Sequence, residues 1–141
     1  MIAKSRAQYR TFRISPGDTN RLALVFDPIG EQANFVFAIE IFDVGGRTPP
    51  NVHRRAHEMF YVLAGQGIAH ADGRSVTFRS GDSLLLPPGT PHEIENTGRT
   101  RLYCMTVMVP NEDFAELIRN GEPVALDDED WAVLRRAPAS F

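Results

Sequence analysis

The sequence predicts an all-β domain, a sandwich or barrel of short strands, on three observations. Gly and Pro recur every several residues from Pro16-Gly17 through Asp27-Pro28, Gly45-Gly46, Pro49-Pro50, Gly65, Gly67, Gly73, Gly81, Pro87-Pro88-Gly89 and Pro91 to Gly98. The runs between these breaks are rich in Val, Ile, Phe, Tyr and Leu, at the roughly 8–12-residue spacing of sandwiches and barrels. The longest of them alternates with period 2, the side-chain repeat of a strand.

Phe35 to Val44 is the clearest strand: Phe35, Phe37, Ile39 and Ile41 point one way, and Val36, Ala38, Glu40 and Phe42 the other. Both faces are largely apolar, as they are in Met59-Phe60-Tyr61-Val62-Leu63. Antiparallel sheets usually leave one face wet, so such strands need a cover on the second side, from terminal segments or a partner subunit. His70 to Arg79 reads as a hairpin, because Asp72-Gly73 suits a tight two-residue turn. Ser83 to Leu86 is a strand stopped by Pro87-Pro88, and Arg101 to Val109 is the last. After Pro110 the pattern turns helical. Asn111 is placed to cap, Phe114, Leu117 and Ile118 fall at helical spacing, and Gly121 is a stop signal. Asp127 is placed to cap a second short helix carrying Trp131 and Leu134. Phe114, Leu117 and Trp131 are expected to cover the barrel wall or one end.

The chain has 141 residues, which suits one domain spanning 1–141 and excludes a duplicated barrel. With 43% hydrophobic and 23% charged residues it can bury a core. Lys plus Arg number 15 against 18 Asp plus Glu, so the basic excess of an electrostatic nucleic-acid binder is lacking and no nucleic-acid partner is expected. The longest apolar run, Met59 to Ala64, is far short of a membrane span, so no membrane partner is expected either. Met1 to Arg6 lacks the apolar stretch of a signal peptide, and the expected location is the cytoplasm. Cys104 is the single cysteine, which excludes an intrachain disulfide and a thiolate-rich metal site.

Nucleophilic and phosphate chemistry find little support. Gly-x-Ser-x-Gly is missing, Cys104 lies in an apolar strand, and no Gly-rich loop precedes a helix. Four histidines remain, His53, His57, His70 and His92. Two imidazoles and a carboxylate (His53, His92 and Glu58) are the donor set of a facial triad, which leaves positions on a metal open to substrate. By spacing alone the trio fits metal ligands and fits two satisfied surface histidines equally well.

The residues around the trio carry a resemblance. Gly45, Asn51, His53, Glu58 and Gly65 form G-x5-N-x-H-x4-E-x6-G, and Gly81, Pro87, Gly89, His92 and Asn96 form G-x5-P-x-G-x2-H-x3-N. The two runs closely resemble the first and second motifs of the cupin superfamily, with fifteen residues, Gln66 to Ser80, between them. Pro49 to Arg55 followed by Glu58 to Leu63 is similar to the small single-domain quercetin-dioxygenase-like cupins. The resemblance spans residues 45–96 by motif and about 20–109 by strand pattern. It implies a double-stranded β-helix, the jelly-roll barrel, over about 20–109, with a short C-terminal helical segment over 111–137. It also implies one divalent transition metal per chain (Fe, Mn, Ni, Zn or Cu) held by His53, Glu58 and His92.

Asn51 stands where the family's first ligating histidine is expected, and an amide oxygen is a poorer ligand than imidazole for a late transition metal. Three roles are open: a weak fourth ligand, a hydrogen-bonding residue that orients substrate or metal-bound water, or a sign that the pocket binds without chemistry. The second is adopted. His57 is an unfavoured replacement, because neighbouring strand residues point to opposite faces and Glu58 is expected inside. His70 is expected on an exposed hairpin strand, and Arg54 and Arg55 on a solvated turn. Alternation from Glu58 puts Phe60 and Val62 on the inner face as substrate-binding wall. It puts Met59, Tyr61 and Leu63 outside, to be covered by the termini or in a homodimer. The function expected is that of an Fe(II)-type dioxygenase acting on a small organic molecule, with Glu58 as ligand or base and Asn51 positioning substrate. A metal-dependent isomerase, epimerase or lyase and a non-catalytic small-molecule binder are the alternatives.

Overall fold

The computed structural model describes residues 1–135. After a single 3-10 turn at Arg6–Gln8 the strands are β1 (Arg10–Arg13), β2 (Asn20–Phe26), β3 (Val36–Phe42), β4 (His57–Ala64), β5 (Gln66–Ala71), β6 (Arg74–Arg79), β7 (Ser83–Leu86), β8 (His92–Asn96), β9 (Leu102–Val109) and β10 (Glu122–Pro123). Three short helices join them: α1 (Pro28–Glu31), α2 (Phe114–Arg119) and α3 (Asp128–Leu134). All pairings are antiparallel. A seven-stranded sheet runs β10-β1-β2-β3-β9-β4-β7, and a three-stranded sheet runs β6-β5-β8. Together they form the double-stranded β-helix expected from the sequence. The large sheet reaches beyond residues 20–109 on both sides, because β1 pairs with β2 and β10 pairs with β1. Residues 136 and 137 of the expected helical segment lie outside the described residues.

The alternation read in the sequence is the alternation of the fold. On β3, Val36, Ala38 and Phe42 turn inward, while Ile39 and Ile41 pack on the outer face. On β4, Glu58, Phe60 and Val62 are buried, and His57, Met59 and Tyr61 are exposed. Between the sheets, Phe42, Phe60, Val62 and Leu86 meet Ala69, Phe78 and Ile94 in one cluster. Each large apolar side chain enclosed in this way contributes about 1.5–3 kcal/mol. A second cluster gathers Phe12, Leu22, Leu24, Val36 and Met108 around Ala115 and Ile118, so α2 closes one part of the barrel.

The outer face is covered in part. Ala23, Val25, Ile39, Ile41 and Tyr103 pack with Tyr9, Leu63, Leu126, Val133 and Leu134, which come from both terminal segments and from β4. Trp131 takes less of this role than the sequence suggested. It is half-buried, with the guanidinium groups of Arg6 and Arg135 over its ring.

Turn chemistry behaves as read. Asp72 and Gly73 both take positive φ, 53° and 67°, as the tight β5–β6 turn requires. Gly65, at φ 92°, sits where an added Cβ would meet the carbonyl oxygen of Arg101 at 2.7 Å, so only glycine lets β9 approach here. Asn111 does cap α2: its Oδ1 accepts from the Ala115 N–H at 2.8 Å, although the helix itself starts at Phe114. Asn96 closes the second motif, and its buried Nδ2 donates to the carbonyls of Phe42, Asp43 and Thr100, pinning the end of β3 to the β8–β9 turn. Among the described residues no helix is long and apolar enough to cross a membrane.

Candidate metal centre

The three expected ligands come from three places in the chain. His53 lies in the loop between β3 and β4, Glu58 is the second residue of β4, and His92 opens β8. Glu58 faces inward because the register of β4 with β9 and β7 places it beside Met108 and Leu86 on the core side. His92 is held by the bridge that its backbone makes with Asn51, with N–H to carbonyl distances of 2.8 and 2.9 Å. The His53 loop is tied on two further sides. The Gly89 N–H donates to the His53 carbonyl at 2.7 Å. The carboxylate of Glu112 accepts from the backbone N–H groups of Arg54, Arg55 and Ala56. Those three donors hold the Glu112 carboxyl below its usual range despite some desolvation.

These restraints bring one donor atom from each of His53, Glu58 and His92 within 4.8 Å of one another. Nε2 of His53 lies 2.9 Å from Oε2 of Glu58, and Nε2 of His92 lies 3.0 Å from the same oxygen. The rings stand 5.3 Å apart between centroids. Nδ1 of His92 donates to the Thr90 carbonyl at 2.9 Å, and since a carbonyl only accepts, Nε2 is the nitrogen turned to Glu58, donating to its carboxylate when protonated and offering a lone pair to a metal when neutral. Two imidazole nitrogens and a carboxylate oxygen, converging with their lone pairs on one point, fit a divalent transition metal. A histidine whose other ring nitrogen is anchored on backbone carbonyl is the usual companion of such a site.

Electrostatics agree with a charged carboxylate. Burial alone would push the Glu58 carboxyl up, but hydrogen bonds and charge from His53 and His92 hold it below its usual range. For His92, burial works to lower the pKa. Glu58, the Thr90 carbonyl and Glu40 outweigh it and raise the imidazole above its ordinary value.

A cavity of about 670 Å³ opens beside the cluster, and Asn20, Glu40, Asn51, Glu58, Phe60 and His92 are among its lining residues. Phe60 is thus both buried and on the cavity wall. Val62, two residues along the same face, does not line it and packs instead between the sheets. Asn51 reaches the cavity edge, and its Oδ1 accepts from the Val52 N–H at 2.8 Å. With one lone pair of that oxygen taken by backbone, the amide nitrogen is the freer group that Asn51 offers a bound molecule. His57 is exposed, on the face opposite Glu58. His70 lies on β5 with hydrogen bonds to Ser75 and Glu95, and Arg54 and Arg55 are exposed.

Two residues of this site were not singled out from the sequence. Glu40 is buried on β3, and Thr106 Oγ1 on β9 lies 3.5 Å from Oε1 of Glu58. A signal for Glu40 did exist: it is the one charged residue in the otherwise apolar Phe35–Phe42 run. Thr106, one polar residue in an apolar strand, gave none.

The profile of the cupin domain family matches residues 38–108, half of the chain and all of the cluster just described. An uncharacterized protein of Methanocaldococcus jannaschii is 34% identical over 70 residues, 50% of this chain and 56% of that protein. The oxalate-binding protein of Thermotoga maritima is 37% identical over 57 residues, 40% of this chain and 47% of that protein. The matches thus span about half the length of these curated relatives. Among solved structures, a predicted oxalate decarboxylase of Thermotoga maritima superposes with a TM-score of 0.69 at 24% identity, covering 77% of this chain and 99% of that one. That likeness carries the fold.

Proposed function

Given that this chain belongs to the cupin domain family, we propose that it is a metal-dependent enzyme acting on a small organic molecule, in the manner of an Fe(II)-type dioxygenase. The observation that carries the reading is the convergence of His53, Glu58 and His92 beside a cavity walled by Phe60 and Asn51. A divalent transition metal there supplies Lewis acidity and open coordination positions for a substrate oxygen and a second small molecule. The chain supplies the rest. The Thr90 carbonyl keeps His92 in the tautomer that presents Nε2. Thr106 and the two imidazoles hold Glu58, whose depressed pKa keeps it ionised as ligand or proton acceptor. Asn51 positions the substrate through its amide nitrogen. Phe60, Phe114 and Leu117, which line the cavity, limit access of bulk water.

The name of the oxalate-binding relative favours a carboxylic acid as substrate. An isomerase, epimerase or lyase using the same centre remains the second reading, since one donor set serves several chemistries. We also propose that the protein is a homodimer. Its interface would be the outer groove lined by Phe37, Met59, Tyr61, Leu85, Met105 and Val107.

Two measurements test the function. Metal analysis of purified protein is expected to find close to one equivalent per chain, and His92→Ala to retain less than about a tenth of that. Oxygen uptake by iron-loaded protein is then expected with one member of a panel of diketones, phenols, flavonols and oxo acids. Substrate turnover without oxygen consumption would replace the dioxygenase by the isomerase or lyase. Failure of the wild-type chain to take up any metal would leave the non-catalytic binder.

A further inference from the structure

Glu40 is a buried acid that the metal cluster does not use, and it lines the same cavity as Glu58 and His92. Its carboxyl is held from one side. Nδ2 of Asn20, on β2, donates to Glu40 Oε1 at 3.0 Å. The orientation of that amide is set by its other end, where Asn20 Oδ1 lies 3.1 Å from the Thr19 hydroxyl. Among the described residues Glu40 Oε2 has no hydrogen-bond partner, yet no fully enclosed side-chain oxygen or nitrogen is left unpaired. Oε2 therefore reaches the cavity. Since Oε1 is occupied as an acceptor, a proton on this carboxyl resides on Oε2, and the group presents an O–H to the cavity space.

We propose that Glu40, held by Asn20, contacts the substrate and donates a hydrogen bond from Oε2 to a carboxylate oxygen of a small organic acid bound at the His53–Glu58–His92 centre. This deepens the reading of the site as a metal centre for a carboxylic acid, on which it rests, by assigning the residue that recognises the acid. An acid that stays neutral serves an anion better than an ionised one, which would repel it. It also serves better than a lysine, which would compete for Glu58.

The surroundings favour the neutral form. Burial and the charge of Glu58 push the Glu40 carboxyl up to about 8, against the pull of the Asn20 hydrogen bond and of His92. The groups facing it are Asn20 on β2, Glu58 on β4, His92 on β8 and Cys104, its cross-strand neighbour on β9. A cation bound at Glu58 works in the opposite direction, and an anionic substrate beside that cation restores the preference for O–H. Neutral Glu40 and bound acid thus favour each other.

The test uses Mn(II) as probe metal and oxalate as probe acid on the whole chain. By calorimetry, Glu40→Gln, whose amide keeps a donor at the cavity, is expected to bind oxalate within about threefold of wild type. Glu40→Leu is expected to keep its Mn(II) but to lose about 10- to 100-fold in oxalate affinity, the range for a hydrogen bond to a charged group. Infrared spectroscopy of metal-free protein gives a second readout. Wild type is expected to show a carboxylic-acid C=O stretch that is missing from Glu40→Gln, and Mn(II)-loaded wild type to show that stretch appear or shift when oxalate is added. Equal oxalate affinity in wild type and Glu40→Leu, no oxalate binding by loaded wild type, or an acid band that is missing or unmoved would overturn the proposal. Absence of Mn(II) uptake by wild type overturns the metal-centre reading instead, and the acid band of metal-free protein, lost in Glu40→Gln, still decides whether Glu40 is the neutral donor. If Glu40→Leu does not fold, the infrared comparison with Glu40→Gln carries the decision.

Discussion

His92 donates from Nδ1 to a carbonyl two residues away, and that single bond determines which nitrogen the cavity sees. Local geometry of this kind is readable in principle from a Thr-Pro-His turn, whereas the partner of Nε2 is not, because Glu58 lies thirty-four residues earlier in the chain. Cys104 is the opposite case, a residue whose chemistry the fold suppresses. It is fully buried on β9, and burial together with the nearby Glu40 pushes its thiol well above the usual range. The native protein is therefore expected to be inert to a thiol-specific reagent such as DTNB at neutral pH and to react with one equivalent in denaturant. Rapid modification of the folded protein would contradict the packing of β3 against β9 described above. The sequence anticipated the inert thiol because Cys104 sits among Leu102, Tyr103, Met105 and Val107. It did not single out Glu40, since a strand pattern says which face a side chain takes and not what waits across the barrel.

Among the elements, α3 shows how one residue serves two levels of structure. Asp130 accepts from the Asp127 N–H and donates its own N–H to the Asp127 carboxylate, completing the box that starts the helix. The same carboxylate pairs with Arg21 on β2, accepts from the Tyr103 hydroxyl at 2.8 Å, and meets Arg101 at 3.1 Å. Burial would raise the Asp130 carboxyl. The hydrogen bond from Arg21, with those from Asp127 and Tyr103, brings it instead from 3.8 to about 2. A depressed carboxylate stabilises the fold above its unfolded pKa and ceases to do so as pH falls through the folded one. This contribution is therefore expected to be present at neutral pH and to be lost between about pH 4 and pH 2. Asp130→Ala leaves Arg21 buried without its partner and is expected to cost about 3–5 kcal/mol in urea unfolding at neutral pH. Asp130→Asn is expected to flatten the acid limb of the stability curve. A loss under about 1 kcal/mol for Asp130→Ala would mean that the pair only offsets its own desolvation. Asp127 was legible as a cap from its position before a helical pattern. The pairing of Asp130 with Arg21 was not, because it joins residues 109 apart in sequence.

For the whole molecule, the outer face of the large sheet divides in two. Ile39, Ile41, Leu63 and Tyr103 lie under the terminal segments, as expected for strands apolar on both faces. Met59 and Tyr61 remain 41% and 42% exposed and Leu85 59%, beside Phe37, Met105 and Val107 in one apolar groove. The protein is accordingly expected to sediment as a dimer at micromolar concentration, and the double variant Met59→Asp, Tyr61→Ser as a monomer with unchanged metal content. A wild-type monomer at that concentration would rule the interface out. Legibility at this scale followed the same division. Period-2 alternation predicted which β4 residues turn inward and which outward, while the share of the outer face taken by Tyr9, Leu126, Val133 and Leu134 depended on contacts between chain ends and sheet.

The sequence by itself determined the strand repeat, the Asp72-Gly73 turn and the two motifs, whose resemblance pointed to His53, Glu58 and His92, because alternation, φ preferences and motif spacing are properties of neighbouring residues. Only the tertiary structure decided that Glu40 shares their cavity, that Val62 does not line it, that the Asn51 oxygen is engaged by Val52, and that Arg21 anchors α3. Each of these depends on which groups meet after the chain has closed on itself. That meeting is set by register and packing between remote strands, which no local pattern encodes.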